Sequence, residues 1–152
     1  HQMVGLAESR PSHLDVALNG RAYARALGQL EIKEGLDDAQ RAIQLIESRV
    51  VIKPPDLHDD TYAATLDTRG YLYYLNGDLK HALSDLTDIT LLQKYQFDAR
   101  RIAEGTRTAQ ESLAVMYYHR GLVYKELGEE SKAQADLKQA DEFGYNPAEG
   151  IW

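Results

Sequence analysis

A chain of 152 residues, 43% hydrophobic and 27% charged, is long enough for one folded domain with its own core and too apolar for global disorder. Its net charge of −7 argues against a nucleic-acid backbone as the main partner, which calls for Lys and Arg gathered on one face. With no cysteine there is no disulfide framework, thiolate metal site or cysteine nucleophile, and no apolar run approaches the roughly 18 residues that cross a bilayer, so no membrane insertion is expected.

The opening HQMVGLAESRP lacks a basic-then-apolar signal pattern, and residues 1–11 read as a tail or a cloning scar. From Leu18 the chain runs LNGRAYAR, in which Arg21 is followed by the small Ala22. Ala39, Ile43 and Ile46 then follow at spacings of 4 and 3, the mark of one helix face. Two helices are therefore predicted over about 12–50, joined by an extended turn near residues 28–35. The next stretch, VVIKPPDLHDD, holds two adjacent prolines and reads as an irregular linker. Asp59 or Asp60 can cap the helix after it.

The second segment repeats the first: LDTRGYLY from Leu66 places Gly70 after Arg69, and Ala82, Leu86 and Ile89 follow. Between them Asn76-Gly77-Asp78 ends one helix on a glycine and offers Asp78 as the next N-cap. This pair is predicted over about 59–104. Its second helix should be long, from about 78 to 103, because Leu79 through Ile102 keep helical spacing without Gly or Pro until Gly105. Thr108 with Glu111 resembles a capping box opening the following helix. The third segment, YYHRGLVY from Tyr117, sets Gly121 after Arg120, with a turn at Gly128 and then Ala133, Leu137 and Ala140. It is predicted over about 107–144, leaving 145–152 as an apolar tail that carries Tyr145, Pro147, Ile151 and Trp152 and is expected to fold back on the last hairpin.

Gly70 to Ala82 and Gly121 to Ala133 are both 12 residues, and Ala22 to Ala39 is five longer. Glycine inside a helix costs about 1 kcal/mol relative to alanine, so a repeated glycine there implies a close approach by something else. Paired helices come within about 8 to 10 Å, which calls for small residues at the crossing. The expectation is that Ala22, Gly70 and Gly121 face Ala39, Ala82 and Ala133. Asp85 and Asp136 stand three residues after the alanines, placed for Arg69 and Arg120 to reach across each hairpin in two-pronged pairs; the first copy has Ala42 there instead.

These recurrences resemble the tetratricopeptide repeat (TPR), whose pattern is a bulky residue, then Leu-Gly, Tyr, Ala and an apolar residue. Tyr117, Arg120, Gly121, Tyr124, Ala133 and Leu137 fill those slots, as do Leu66, Arg69, Gly70, Tyr73, Ala82 and Leu86. The first copy keeps Leu18, Arg21, Ala22, Ala39 and Ile43 but has Arg25 where Tyr belongs. The intervals of 48 and 51 residues from Ala22 to Gly70 to Gly121 exceed the family's roughly 34, so the copies carry long insertions. The resemblance implies an all-α, right-handed stack of three antiparallel helix hairpins that binds a peptide or protein in a concave groove lined by the first helix of each hairpin. On that face stand Asn19, Tyr23 and Ala26, then Asp67, Tyr71 and Tyr74, then Val115, Tyr118, Leu122 and Lys125. The Lys, Asn and Arg set with which one TPR subset grips chaperone tails is missing, and only Asn19 matches it.

Chemistry is not legible elsewhere. The five histidines show no metal-ligand spacing, and in His58-Asp59-Asp60 capping explains the acids. No nucleophile turn, phosphate loop or dinucleotide fingerprint occurs. The expectation is a non-catalytic scaffold without cofactor or metal. The alternatives are a homo-oligomerisation domain that buries the tyrosines or the Trp152 tail against a copy, and a small helical enzyme or ligand-binding bundle with a site among Asp67, Tyr71, Tyr118 and His119.

Overall fold

The computed structural model describes residues 14–49, 60–88 and 106–145, and these contain six helices and no strand. Helix α1 spans Leu14–Gly28, α2 Ile32–Arg49 and α3 Asp60–Leu75. Residues 79–88 form α4, and α5 (Thr106–Glu126) and α6 (Glu130–Glu142) follow. None of the described helices is long and apolar enough to cross a membrane. The linker before Asp60, the 89–103 stretch of the expected long helix, and the tail beyond Tyr145 lie outside the described residues.

One backbone device ends four of these helices. At α3, Gly77 takes φ 83° while its N–H donates to Tyr74 O at 3.0 Å and the Asp78 N–H donates to Tyr73 O at 2.9 Å, the Schellman arrangement. Gly128 (φ 77°) and Gly144 (φ 91°) repeat it after α5 and α6. Asp78 then caps α4, its Oδ1 accepting from the His81 N–H at 3.2 Å.

The first turn departs from expectation. It is confined to residues 29–31, and the left-handed position is held by Gln29 (φ 51°), whose N–H donates to Ala26 O, while the Leu30 N–H donates to Arg25 O. The five extra residues lengthen the helices rather than the turn. Gly35 lies inside α2, where a Cβ would stand 3.1 Å from Leu72 Cδ2 of α3. It marks an approach between hairpins. Helix α5 likewise starts at Thr106, which places Thr108 inside it; helix ends vary by a residue or two about any sequence signal.

Within the hairpins the small residues admit large partners. A Cβ on Gly70 would lie 2.8 Å from Leu86 Cγ and 3.4 Å from Asp85 Cβ, and one on Gly121 would lie 2.9 Å from Leu137 Cγ and 3.4 Å from the Ala133 carbonyl oxygen. The residue filling each glycine slot is thus the leucine one turn beyond the alanine, a division of labour the 12-residue spacing does not specify. Ala22 and Ala39 share one buried cluster with Ala26 and Leu72.

Neighbouring hairpins interlock through their first helices. Leu72 of α3 inserts between α1 and α2. Met116 of α5 packs with Ile43 of α2 and with Ala63 and Leu66 of α3, while Val123 of α5 packs on Ala82 and Leu86 of α4. Helix α3 touches α1, α2 and α5, so the first helices adjoin one another in the order α1, α3, α5.

Arg69 and Arg120, each just before a glycine, are held by charge and aromatic faces together. Arg69 donates through Nε and Nη2 to Asp85 at 2.7 and 2.8 Å, and Arg120 to Asp136 at 2.6 and 2.8 Å. Arg69 also lies 5.7 Å from the Tyr73 ring centre, and Arg120 lies 5.6 and 5.7 Å from Tyr117 and Tyr124. The first hairpin has its own version: Arg21 donates through Nε and Nη2 to Asp38, both at 2.6 Å, and Arg25 joins the same carboxylate. Asp38 stands four residues before Ala42, one turn earlier on the same face of α2. The Arg21 guanidinium holds its carboxyl below the usual carboxylate range.

Candidate functional site

Residues four apart on a helix share a face, and this places Asn19 with Tyr23 on α1, Asp67 with Tyr71 on α3, and Tyr118 with Leu122 on α5. Since α3 lies beside both α1 and α5, the three pairs sit on adjoining helices. Asn19, Tyr23, Tyr71, Tyr74, Tyr118 and Leu122 are half-buried, Asp67 is buried and Lys125 is exposed.

The centre of this arrangement is polar. His119 of α5, only 1% exposed, sets Nδ1 2.9 Å from Asp67 Oδ1 of α3. With the Nδ1–H donating to the carboxylate, Nε2 is left as an acceptor, and it has no partner. The imidazole lies flat against Tyr71, ring centres 4.2 Å apart and planes 13° from parallel, and Tyr71 in turn stacks on Tyr74 at 6.0 Å. On α1, Asn19 Oδ1 and the Tyr23 hydroxyl are likewise buried without a hydrogen-bond partner.

Tyr145 completes the group. The turn at Gly144 brings it back onto Tyr118, ring centres 4.2 Å apart, and it is 8% exposed. Spacing along helices could not place it, because it lies beyond the last one. The usable signal was Gly144 itself, the third glycine in a helix-ending context, which turns the chain back at once. His119, named from sequence in the alternative site with Asp67, Tyr71 and Tyr118, lies between Arg120, which faces α6, and Tyr118, which stacks on Tyr145, and so is turned against α3.

At one end, Tyr74, Leu75, Gly77, Leu79 and Glu126 line an open recess of about 420 Å³. Among the described residues no group of three His, Asp or Glu side chains is placed to hold a metal ion.

Electrostatics mark the same region. Burial, and after it the charge of Asp67, pushes the Tyr23 hydroxyl well above the ordinary phenol range. Burial, then the neighbouring Tyr118, Tyr71 and Asp67, pushes Tyr145 up to about 12, and burial raises Tyr71 and Tyr74 as well. A phenol whose folded-state value is raised favours folding below its unfolded value near 10, and that contribution is lost as the pH climbs from about 10 to about 12. An alkaline titration followed by tyrosinate absorbance and circular dichroism should therefore show Tyr23, Tyr71, Tyr74 and Tyr145 ionising above pH 10, together with loss of helix. A single wave near pH 10 with helical signal unchanged would contradict the burial described.

No family model, curated protein or solved structure matches the chain.

Proposed function

We propose that the chain is a non-catalytic, TPR-like protein-interaction scaffold that holds a peptide or protein segment against the inner face formed by α1, α3 and α5. The observation carrying this reading is the succession of first helices, α1 against α3 and α3 against α5, with Tyr23, Tyr71, Tyr74 and Tyr118 half-buried along it. Half-exposed tyrosine suits an interface, since it combines large contact area, few rotatable bonds and one polar tip. The resemblance to the TPR pattern in the second and third hairpins supports the same surface.

Selection of displayed peptides on the full chain tests the proposal. Binders are expected, and the Tyr71→Ala, Tyr118→Ala double variant is expected to lose roughly tenfold or more in affinity, the scale of removing interface anchors worth about 1 kcal/mol or more each. Circular dichroism of the variant separates this loss from unfolding. Unchanged affinity in a folded double variant would place binding on another face.

A further inference from the structure

We infer that the inner face takes a cationic side chain of a polypeptide partner, the ammonium of a lysine or the guanidinium of an arginine, seated against the Asp67–His119 pair and the rings of Tyr23 and Tyr71. This assigns a ligand chemistry to the binding surface proposed above and rests on that reading.

Charge is the first support. Asp38, Asp85 and Asp136 are buried and each meets an arginine. Asp67 is as buried, 7% exposed, and among the described residues its side-chain partner is the His119 imidazole, through one oxygen, with no arginine on it. The neighbouring inner face of α1 supplies no cation: Asn19 and Tyr23 stand there. Across the whole chain the balance is −7, which favours the approach of a cation.

Hydrogen-bonding capacity is the second. Asn19 Oδ1, the Tyr23 hydroxyl and His119 Nε2 are buried without partners, and each can accept a hydrogen bond. Buried polar groups are ordinarily satisfied, so an unmatched set of acceptors calls for a partner rich in donors. An ammonium brings three N–H groups and a guanidinium five, and neither carries an acceptor. A carboxylate would bring only lone pairs, to a place that already holds Asp67.

The third support is the chain's own practice. In the third hairpin Arg120 lies 5.6 and 5.7 Å from the centres of two tyrosine rings while its guanidinium grips Asp136, and Arg69 repeats this with Tyr73 and Asp85. Carboxylate plus tyrosine is thus the setting in which the second and third hairpins hold a guanidinium. Asp67 with Tyr23 and Tyr71 provides the same elements with no guanidinium of its own.

An array of nonapeptides, each with one fixed central residue and randomised flanks, probed with the full chain, tests the assignment. Peptides centred on Lys and Arg should dominate the binders. Replacing a central Arg by citrulline, which keeps the shape and removes the charge, should weaken binding roughly tenfold or more, as expected for loss of a charge-assisted hydrogen bond. Asp67→Asn should abolish the preference for Arg over citrulline. Tyr23→Phe, which removes a hydroxyl that has no partner to lose, should weaken Arg peptides about threefold or more and carries the test if Asp67→Asn fails to fold. Equal binding of Arg and citrulline peptides, or a preference that survives in folded Asp67→Asn, overturns the cationic assignment and leaves the scaffold standing. Absence of binding by every nonapeptide overturns both.

Discussion

Gly121→Leu is expected to lower the thermal midpoint of unfolding by roughly 6 to 12 °C, and Gly70→Leu by a similar amount. Overpacking a tight core costs typically about 1 to 3 kcal/mol, occasionally more, and these sites fall at the upper end. The reason is geometric: even a first added carbon would stand 2.9 Å from Leu137 Cγ, or 2.8 Å from Leu86 Cγ, inside any real contact distance. Leu86 is fully buried and has no room to withdraw. At Gly121 the Ala133 carbonyl oxygen, 3.4 Å away, adds a wall of backbone. Each kcal/mol moves the midpoint of a chain this size by about 2 to 4 °C. Gly20→Ala is the control. It sits in α1 with nothing within 4 Å of an added Cβ, so the helix-propensity gain of about 0.5 to 1 kcal/mol should raise the midpoint slightly. Calorimetry of the three variants decides the matter, and leucine at 121 melting with the parent would remove the close crossing.

Asp136→Ala should cost about 3 kcal/mol, the lower end of what breaking a buried pair costs, because it strands Arg120 with its side chain only 16% exposed. Asp85→Ala should behave alike, Arg69 being 18% exposed. The double change Arg120→Met, Asp136→Leu should recover most of the loss, since no charge is then left unpaired in the interior. Arg21→Ala should matter far less. Its side chain is 59% exposed, and Arg25 stays on Asp38 after it is gone. Denaturant unfolding of the four variants tests the ranking. An Arg21→Ala loss equal to that of Asp136→Ala would show that burial does not set the cost.

Much of the helical layout was legible because helix ends, crossings and charges leave local marks. Gly77 and Gly128 announce helix ends since a left-handed residue is cheapest without a Cβ, and Gly70 and Gly121 announce crossings since no other reason favours glycine mid-helix. Arg69 with Asp85 and Arg120 with Asp136 were readable from equal spacing. The first hairpin hid the same devices behind substitutes. Gln29 performs a glycine's role at φ 51°, and Asp38 supplies a carboxylate one turn earlier than its counterparts. A periodicity reading registers neither, because both depend on how far α2 slides along α1. Of the polar centre the sequence named the members, Asp67, Tyr71, Tyr118 and His119, as an alternative site, but not the stacking that joins them. Asp67 and His119 are 52 residues apart and meet only because α5 lies on α3, and Tyr145 joins them through a turn after the final helix. Contacts between hairpins depend on stacking, and stacking leaves little trace in any one segment.

The claim that the face of α1, α3 and α5 is the binding surface is tested most directly by titrating a selected peptide into the isotopically labelled chain and following backbone amide resonances. The expected result is shifts concentrated at Tyr23, Asp67, Tyr71, Tyr118 and Leu122, with the exposed outer residues Gln44, Gln134 and Lys138 unmoved. Shifts confined to α2 and α6, with the tyrosine face silent, would contradict the account.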